Sequence, residues 1–455
     1  MQRLSMYILS VCILLIVSSC KKYLEVTTDK KLVVITNLID LQSLLDASSQ
    51  INFVDPGAGE VSADNYYLTE DIWEGLDEYD RNQYIWKDYN VIPPFSVFQT
   101  NAWANCFNVI YRANTVLFNI NTILKTPNNT ADYDNIRGQA HFLRAKFNLE
   151  LAWVWCLAYD HSSAETDLGI PLRLTPDFNE QSVRATLQQS YDQIITDLKI
   201  AVALLPETPL HTLRPSRAAA YGYLSRCYLS MRDYVNAGKY ADSCLQLYPE
   251  LMDFNVDIPD TNSFYPIPQF NKETVYFCRM ASPRPVYYGN IDTSLYKSFG
   301  NGDWRRTLFF TDDGNNNIGF KGSYNKSRAP FTGLASDEMY LTRAECFARN
   351  GNPAKAIEDL NYLLEHRYRQ GTFTPIPILS TQVAIDTILV ERRKELIYRE
   401  LRWMDIKRLN KEDWNIELKR VVHGKIYALS PNDLRYALAI PEDIIARSGM
   451  PQNPR

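Results

Sequence analysis

The sequence predicts a mainly all-α protein, a tetratricopeptide-like helical scaffold interrupted by long irregular loops. Three observations carry that prediction. Long stretches place apolar residues three and four apart, the spacing of a helix face. Two separate stretches repeat one helical hairpin in which bulky residues meet small ones. Two further segments, about 50–100 and about 250–333, lose the helical period, and the second is rich in Pro, Gly, Asn, Tyr and Phe.

The chain begins with Arg3, an apolar run from Met6 to Val17 and the small residues Ser18 and Ser19 before Cys20. This is the charged region, apolar region and small-residue cleavage site of an export signal, too short for a permanent membrane helix of about 20 residues. Val17-Ser18-Ser19-Cys20 reads as a bacterial lipobox. The expectation is that residues 1–19 are removed and that Cys20 becomes the acylated N-terminus, with two or more acyl chains needed for stable anchoring. No second long apolar run follows, so residues 20–455 are expected to be soluble apart from the anchor and to form one domain. A net charge of −5 lacks the concentrated basic face that nucleic acid requires. Of eight cysteines, Cys12 leaves with the signal and Cys20 is the anchor. Cys106, Cys156, Cys227, Cys244, Cys278 and Cys346 lie mostly in apolar helical patterns without any CxxC, and read as buried free thiols.

The helical scaffold is read over about 101–249 and 334–410. Asn101 to Leu124 spaces Trp103, Phe107, Ile110, Asn114, Leu117 and Ile120 on one helix face, and Ile136 to Tyr159 is nearly apolar all round in its second half. Thr186 to Leu205 carries Leu187, Tyr191, Ile194, Ile195, Leu198 and Val202 on one face and stops at Pro206. In 214–249, Tyr221, Leu224, Ser225 and Tyr228 precede a break at Arg232-Asp233-Tyr234, then Ala237, Ala241 and Cys244. Small residues on the second helix let bulky ones on the first approach closely. The register recurs with Tyr340, Ala344 and Phe347, a turn at Gly351-Asn352-Pro353, then Ala356, Leu360 and Leu363. Ala237 and Ala356 are 119 positions apart, not one 34-residue repeat, so the two hairpins are not expected to be adjacent units of a simple solenoid.

Several short stretches together carry a family resemblance. They are Cys20-Lys21-Lys22-Tyr23-Leu24, Tyr111-Arg112-Ala113-Asn114, Gly138 to Ala145 (GQAHFLRA), Gly169-Ile170-Pro171-Leu172, Ser190 to Leu198 and Arg217-Ala218-Ala219-Ala220. The C-terminal set is more specific: Glu391 to Leu396 (ERRKEL), Arg402 to Arg408 (RWMDIKR), Ile440-Pro441 and Gln452-Asn453-Pro454. In their order and number these resemble the SusD/RagB family of outer-membrane nutrient-binding lipoproteins over nearly the whole chain. The resemblance implies a helical protein with tetratricopeptide-like units. It also implies a surface lipoprotein on the outer membrane that captures an oligosaccharide, or in some relatives a peptide, and delivers it as a hinged lid over a SusC-like TonB-dependent transporter. Surface-exported lipoproteins of this type often carry acids just after the cysteine, whereas here Lys21 and Lys22 precede Glu25.

Sugars present an apolar C–H face and a hydroxyl rim, so an exposed aromatic ring among polar groups suits them. The first irregular segment offers Tyr66, Tyr67, Trp73, Tyr79, Tyr84 and Trp86; the second offers Tyr287, Tyr288, Tyr296 and Trp304. Trp73 and Trp304 are the first candidates for ligand contact and Tyr79 and Tyr288 the next, while Tyr84 and Trp86 read as packing. Glu60, Asp64, Glu70, Asp71, Glu74, Asp77, Glu78 and Asp80 make the first segment acidic. Arg279, Arg284, Arg305, Arg306, Lys321, Lys326 and Arg328 make the second basic. The two sets are expected chiefly to pair with each other rather than to select an anionic ligand. No HExxH, GxSxG or P-loop motif occurs, and the five histidines lack metal-ligand spacing. Asp312 to Asn317 reads as a turn, because it lacks the alternating ligands and distal Glu of a calcium loop. The reading is a binding protein without catalytic residues, metal or cofactor. The alternative is a tetratricopeptide-type scaffold that binds only a partner protein.

Overall fold

The computed structural model describes residues 35–88, 101–315 and 317–455. Cys20 and the signal segment 1–19 lie outside the described residues. The chain opens with five short helices, α1 (Leu38–Leu45), α2 (Ser48–Ile51), α3 (Ala58–Ser62), α4 (Glu70–Glu74) and α5 (Glu78–Tyr84), with strand β1 (Tyr66–Tyr67) between α3 and α4. Long helices follow: α6 (Ala102–Asn119), α7 (Thr130–Trp155) and, after strands β2 (Leu168–Pro171) and β3 (Arg184–Thr186), α8 (Leu187–Leu204). The first hairpin is α9 (Arg217–Ser230) and α10 (Tyr234–Leu247). Helix starts obey local chemistry. Asn101 Oδ1 accepts from Ala104 N, Asp233 Oδ1 from Asn236 N, and Thr186 and Gln189 form a reciprocal capping box.

The next segment holds β4 (Thr274–Tyr276), α11 (Arg284–Tyr288), β5 (Asn290–Ile291), α12 (Thr293–Lys297), α13 (Trp304–Phe309), β6 (Phe310–Asp312), β7 (Ile318–Phe320) and β8 (Leu334–Ala335). The second hairpin is α14 (Ser336–Arg349) and α15 (Pro353–Glu365), followed by α16 (Thr381–Glu395) and α17 (Arg402–Asn410). The hairpin β9 (Leu418–Val422) and β10 (Lys425–Leu429) and helix α18 (Glu442–Ser448) complete the chain. Each described sheet is a two-stranded antiparallel pair: β1 with β5, β2 with β3, β4 with β8, β6 with β7 and β9 with β10. The segments read as irregular therefore contain helices and strands of two to seven residues, too short to show a period in the sequence.

The long helices stack as neighbours from α6 to α10, and α10 then packs directly on α14, which contacts both α15 and α16. The two hairpins are thus adjacent in space. This corrects the sequence expectation: the chain leaves the stack after α10, and 248–335 returns it to the same place. Gly238 on α10 marks the closeness of that junction, since a Cβ there would lie 2.8 Å from Cys346 Cβ on α14. Arg226 on α9 locks it with two hydrogen bonds to Glu338 on α14 (2.8 and 2.6 Å) and one to Gly333 O (2.7 Å).

Helix α7 lies in the main core, and nearly every residue from Gly138 to Trp155 is buried. Its buried charged side chains each find a partner, whereas the Asn148 amide and Trp153 Nε1 have none. Arg144 and His141 hold Asp197 of α8, and Lys146 Nζ sits between Asp55 (2.6 Å) and Glu150 (2.5 Å). The six described cysteines are buried and free. A second core of Phe254, Phe277, Phe309, Phe310, Tyr398 and their neighbours underlies the loop-rich half. There β1 pairs with β5, and Asp55 bridges Met280, so the two irregular segments pack on one another. No helix among the described residues is long and apolar enough to cross a membrane.

Candidate functional site

The two irregular segments enclose a cleft of about 100 Å³ between α3 and α5 on one side and the 281–284 segment leading into α11 on the other. The backbones meet closely: a Cβ on Gly57 would fall 2.3 Å from Pro283 Cγ. Pro283 precedes α11, and Arg284 occupies its first position with its guanidinium donating to Asp77 Oδ2 (3.0 Å) and Gly75 O (3.0 Å). This link fixes α11 against the α4–α5 turn. It is also one place where the acidic and basic segments pair as expected. Arg305, by contrast, is fully buried among Asp303, Glu391 and Glu395 and takes no part in the cleft.

Asp80 is the unusual member of the cleft wall. It is 4% exposed, and its Oδ2 has no hydrogen-bond partner. Burial pushes its carboxyl up to about 6, partly offset by Arg284 and reinforced by Asp77. Beside it, half-buried Tyr79 lines both this cleft and a narrower inner cavity of about 30 Å³ that Asn82, Trp86 and Trp103 also line. Burial, and secondarily Asp80, raises the Tyr79 phenol. Gln83 donates to Ala58 O (3.1 Å) and closes the floor. An aromatic ring, an unsatisfied carboxyl and a positioned guanidinium converge on one opening. That set suits the ring face and hydroxyls of a small polar ligand, with room in the cleft for only the leading part of it.

The four sequence candidates fall in four places. Tyr79 is in the cleft wall. Tyr288 is 48% exposed at the end of α11, one turn from Arg284, and meets Tyr287 edge-on at 4.9 Å. Trp73 on α4 packs edge-on against His423 of the β9–β10 turn (5.7 Å) under the Arg81 guanidinium (5.3 Å), and its buried Nε1 has no partner. Trp304 stands apart. Its Nε1 donates to Asn255 (2.8 Å), and Arg369 covers its ring at 4.5 Å. Tyr84 and Trp86 are each 2% exposed, packing as expected beneath the Arg420 guanidinium. Asp80 and Arg284 were visible only as two charges in two charged runs; what singles them out is the contact of 281–284 with α5.

A sequence family described as starch-binding and associating with the outer membrane matches residues 22–229, and the SusD family matches residues 322–440, together more than half of the chain. No curated protein matches the sequence. Among solved structures, a SusD superfamily protein from Bacteroides thetaiotaomicron superposes with a TM-score of 0.72 at 19% identity, covering 92% of this chain and 100% of its own. A SusD-like carbohydrate-binding protein from Bacteroides vulgatus gives 0.67 at 20% identity, covering 91% and 97%. Surface glycan-binding protein A from Bacteroides uniformis gives 0.67 at 15% identity, covering 92% and 99%. At these identities the likeness is one of fold.

Proposed function

The chain belongs to the SusD family, and from that premise we propose that it captures an oligosaccharide or polysaccharide at the cell surface and delivers it to a SusC-like TonB-dependent transporter. The observation that carries the reading is the convergence of Tyr79, Arg284 and Asp80, whose buried Oδ2 lacks a partner, on a cleft built by the two loop-rich segments. Of the buried carboxylate oxygens without a partner, the one on Asp80 lines this cleft, where a ligand or water can supply the missing donor. Sugar hydroxyls are such donors, and an aromatic ring alongside takes the apolar face of the sugar. Carbohydrate-binding relatives of the same fold support this choice. Tyr288, Trp73 and Trp304 are proposed as outer contacts, with Tyr288 foremost because its ring is open to solvent. The protein hangs from the outer membrane by acyl chains on Cys20 and faces the exterior.

Native affinity gels containing neutral and acidic polysaccharides, run with wild type and Tyr79→Ala, test capture. Retardation that the variant loses supports the reading. Wild type that migrates freely through every gel, yet binds peptides from a digest, supports the peptide-binding alternative. Anchoring is read by metabolic labelling with a radioactive fatty acid, which Cys20→Ala abolishes. Co-purification of a large outer-membrane β-barrel with the tagged lipoprotein tests the transporter partnership.

A further inference from the structure

Away from the cleft, the other side of α6 faces a groove of about 350 Å³ walled by the 171–182 segment, with Ile444 of α18 and Met450 at its base. Its volume lies in the range of small-ligand pockets, about 300–1,000 Å³. Tyr111 of α6 and Phe178 of the opposite segment are stacked over it, ring centroids 4.6 Å apart and tilted by 31°. Both are open to solvent, at 38% and 78%. One exposed ring is ordinary on a protein surface, but two in contact across a groove form an apolar patch of the kind that marks a binding site.

The segment that presents Phe178 is held rigid. Asn114, 1% exposed, donates to Arg173 O (2.9 Å) and Thr175 O (3.3 Å), and itself accepts from Arg144. The Arg173 guanidinium bonds the Asp177 and Glu180 carbonyls and Ser182 Oγ (3.3 Å). Asp177 Oδ1 accepts from Asn179 N (2.8 Å) and Thr175 Oγ1 donates to Glu180 (2.8 Å), which closes the turn. A two-ring platform whose approach is fixed before a ligand arrives avoids the entropy of ordering a loop on binding. Around it stand an exposed amide (Asn108), a hydroxyl (Ser182) and a carboxylate (Asp177).

The groove and the cleft share a helix. Ala102 lines the cleft and Tyr111 the groove, nine residues further along α6, about 14 Å at 1.5 Å per residue. Trp103 lies between, lining both the inner cavity and the groove. We propose that the groove is a second subsite for the same glycan, in which Tyr111 and Phe178 stack a sugar ring several units along the chain from the ring held at Tyr79 and Asp80. This rests on the glycan-capture reading and extends it: the ligand is a chain, and the second platform selects for its length. A ring-sized pocket with mixed polar rim favours a sugar over a partner protein, whose stable contact needs an extended face of about 800 Å².

The test is isothermal titration of the full lipoprotein in detergent with trisaccharides and heptasaccharides of α-1,4-, β-1,4- and β-1,3-glucan. Wild type is expected to bind one heptasaccharide about tenfold tighter than its trisaccharide, the worth of one stacked ring. In Tyr111→Ala/Phe178→Ala that ratio falls to about one while trisaccharide affinity stays unchanged. Both side chains are exposed, so the variant keeps the wild-type melting temperature. A length preference that survives the double substitution overturns the second subsite and leaves the pair as a protein-contact surface, with capture intact. Wild type that binds none of the oligosaccharides or polysaccharides overturns the capture reading and the subsite with it.

Discussion

Asp80→Asn separates a carboxyl held for ligand from one held for stability. In the free protein the buried carboxyl titrates at about 6 against an ordinary 3.8. Its folded-state pKa is raised, so the protonated form is the one folding favours. Stability is complete below the unfolded pKa and is lost as pH rises through the folded one. At 1.36 kcal/mol per unit, keeping Asp80 in the cleft costs about 3 kcal/mol at pH 7 and only about 0.6 kcal/mol at pH 4. An asparagine of the same shape removes this pH-dependent part but leaves a buried amide short of a partner, a cost of about 1–3 kcal/mol at every pH. The variant should therefore gain about 2 kcal/mol relative to wild type between pH 4 and pH 7, whatever its absolute stability. Urea unfolding at the two pH values, with equal m-values for both proteins, measures that difference. The same substitution should weaken glycan binding about ten- to a hundredfold through one lost charge-assisted hydrogen bond. An identical stability difference at pH 4 and pH 7 would refute the reasoning, because it would mean that the carboxyl is hydrated or partnered in the free protein.

Three further perturbations probe the scaffold. Gly238→Ala forces a methyl to within 2.8 Å of Cys346 Cβ; a loss of about 1–3 kcal/mol is expected in urea unfolding, whereas Asn236→Ala nearby keeps the Asp233 cap on its backbone N and should cost only its Nδ2 bond to Asp233 (2.6 Å), about 1 kcal/mol. Arg226→Met strands Glu338, which is fully buried, and should cost about 3–5 kcal/mol in thermal or urea unfolding. Burial and the charge of Asp55 hold Glu150 up at about 8 against an ordinary 4.5, so its contribution is lost as pH rises through that value. The melting temperature should fall between about pH 5 and pH 8, and Glu150→Gln should flatten that fall.

What the sequence disclosed and what it hid follow from the range of the interactions concerned. The helices from α6 to α10 and from α14 to α16 are 13 to 26 residues long, enough for the period, the starts at Asn101 and Thr186 and the small-on-large hairpins to be read locally. The return of the chain at α14 was not local. It depends on Gly238 meeting Cys346 and Arg226 meeting Glu338, pairs that no spacing rule connects. The same holds in the cleft. Tyr79 stood out by type, but Asp80 was one acid among eight until the 281–284 backbone covered it. Trp304 and Trp73 have the composition of ligand contacts, and only the fold brings Arg369 and Asn255 to one and His423 to the other. Tyr111 was noted for its family motif, and its stacking with Phe178 crosses from helix to loop.

The direct seating of α14 on α10 changes how the array can come apart. In a linear repeat protein each unit touches only its sequence neighbours, so the stack frays from its ends and its stability is nearly a sum over units. Here one inner junction closes only after the chain between α10 and α14 has folded back, and that stretch carries the β1–β5 pairing and one wall of the cleft. Closing it charges the entropy of a long loop to a single step, which slows folding. It also ties the two hairpins and the binding loops into one cooperative unit. Hydrogen exchange should accordingly show α10 and α14 opening together with the 274–291 strands, in one global event rather than repeat by repeat.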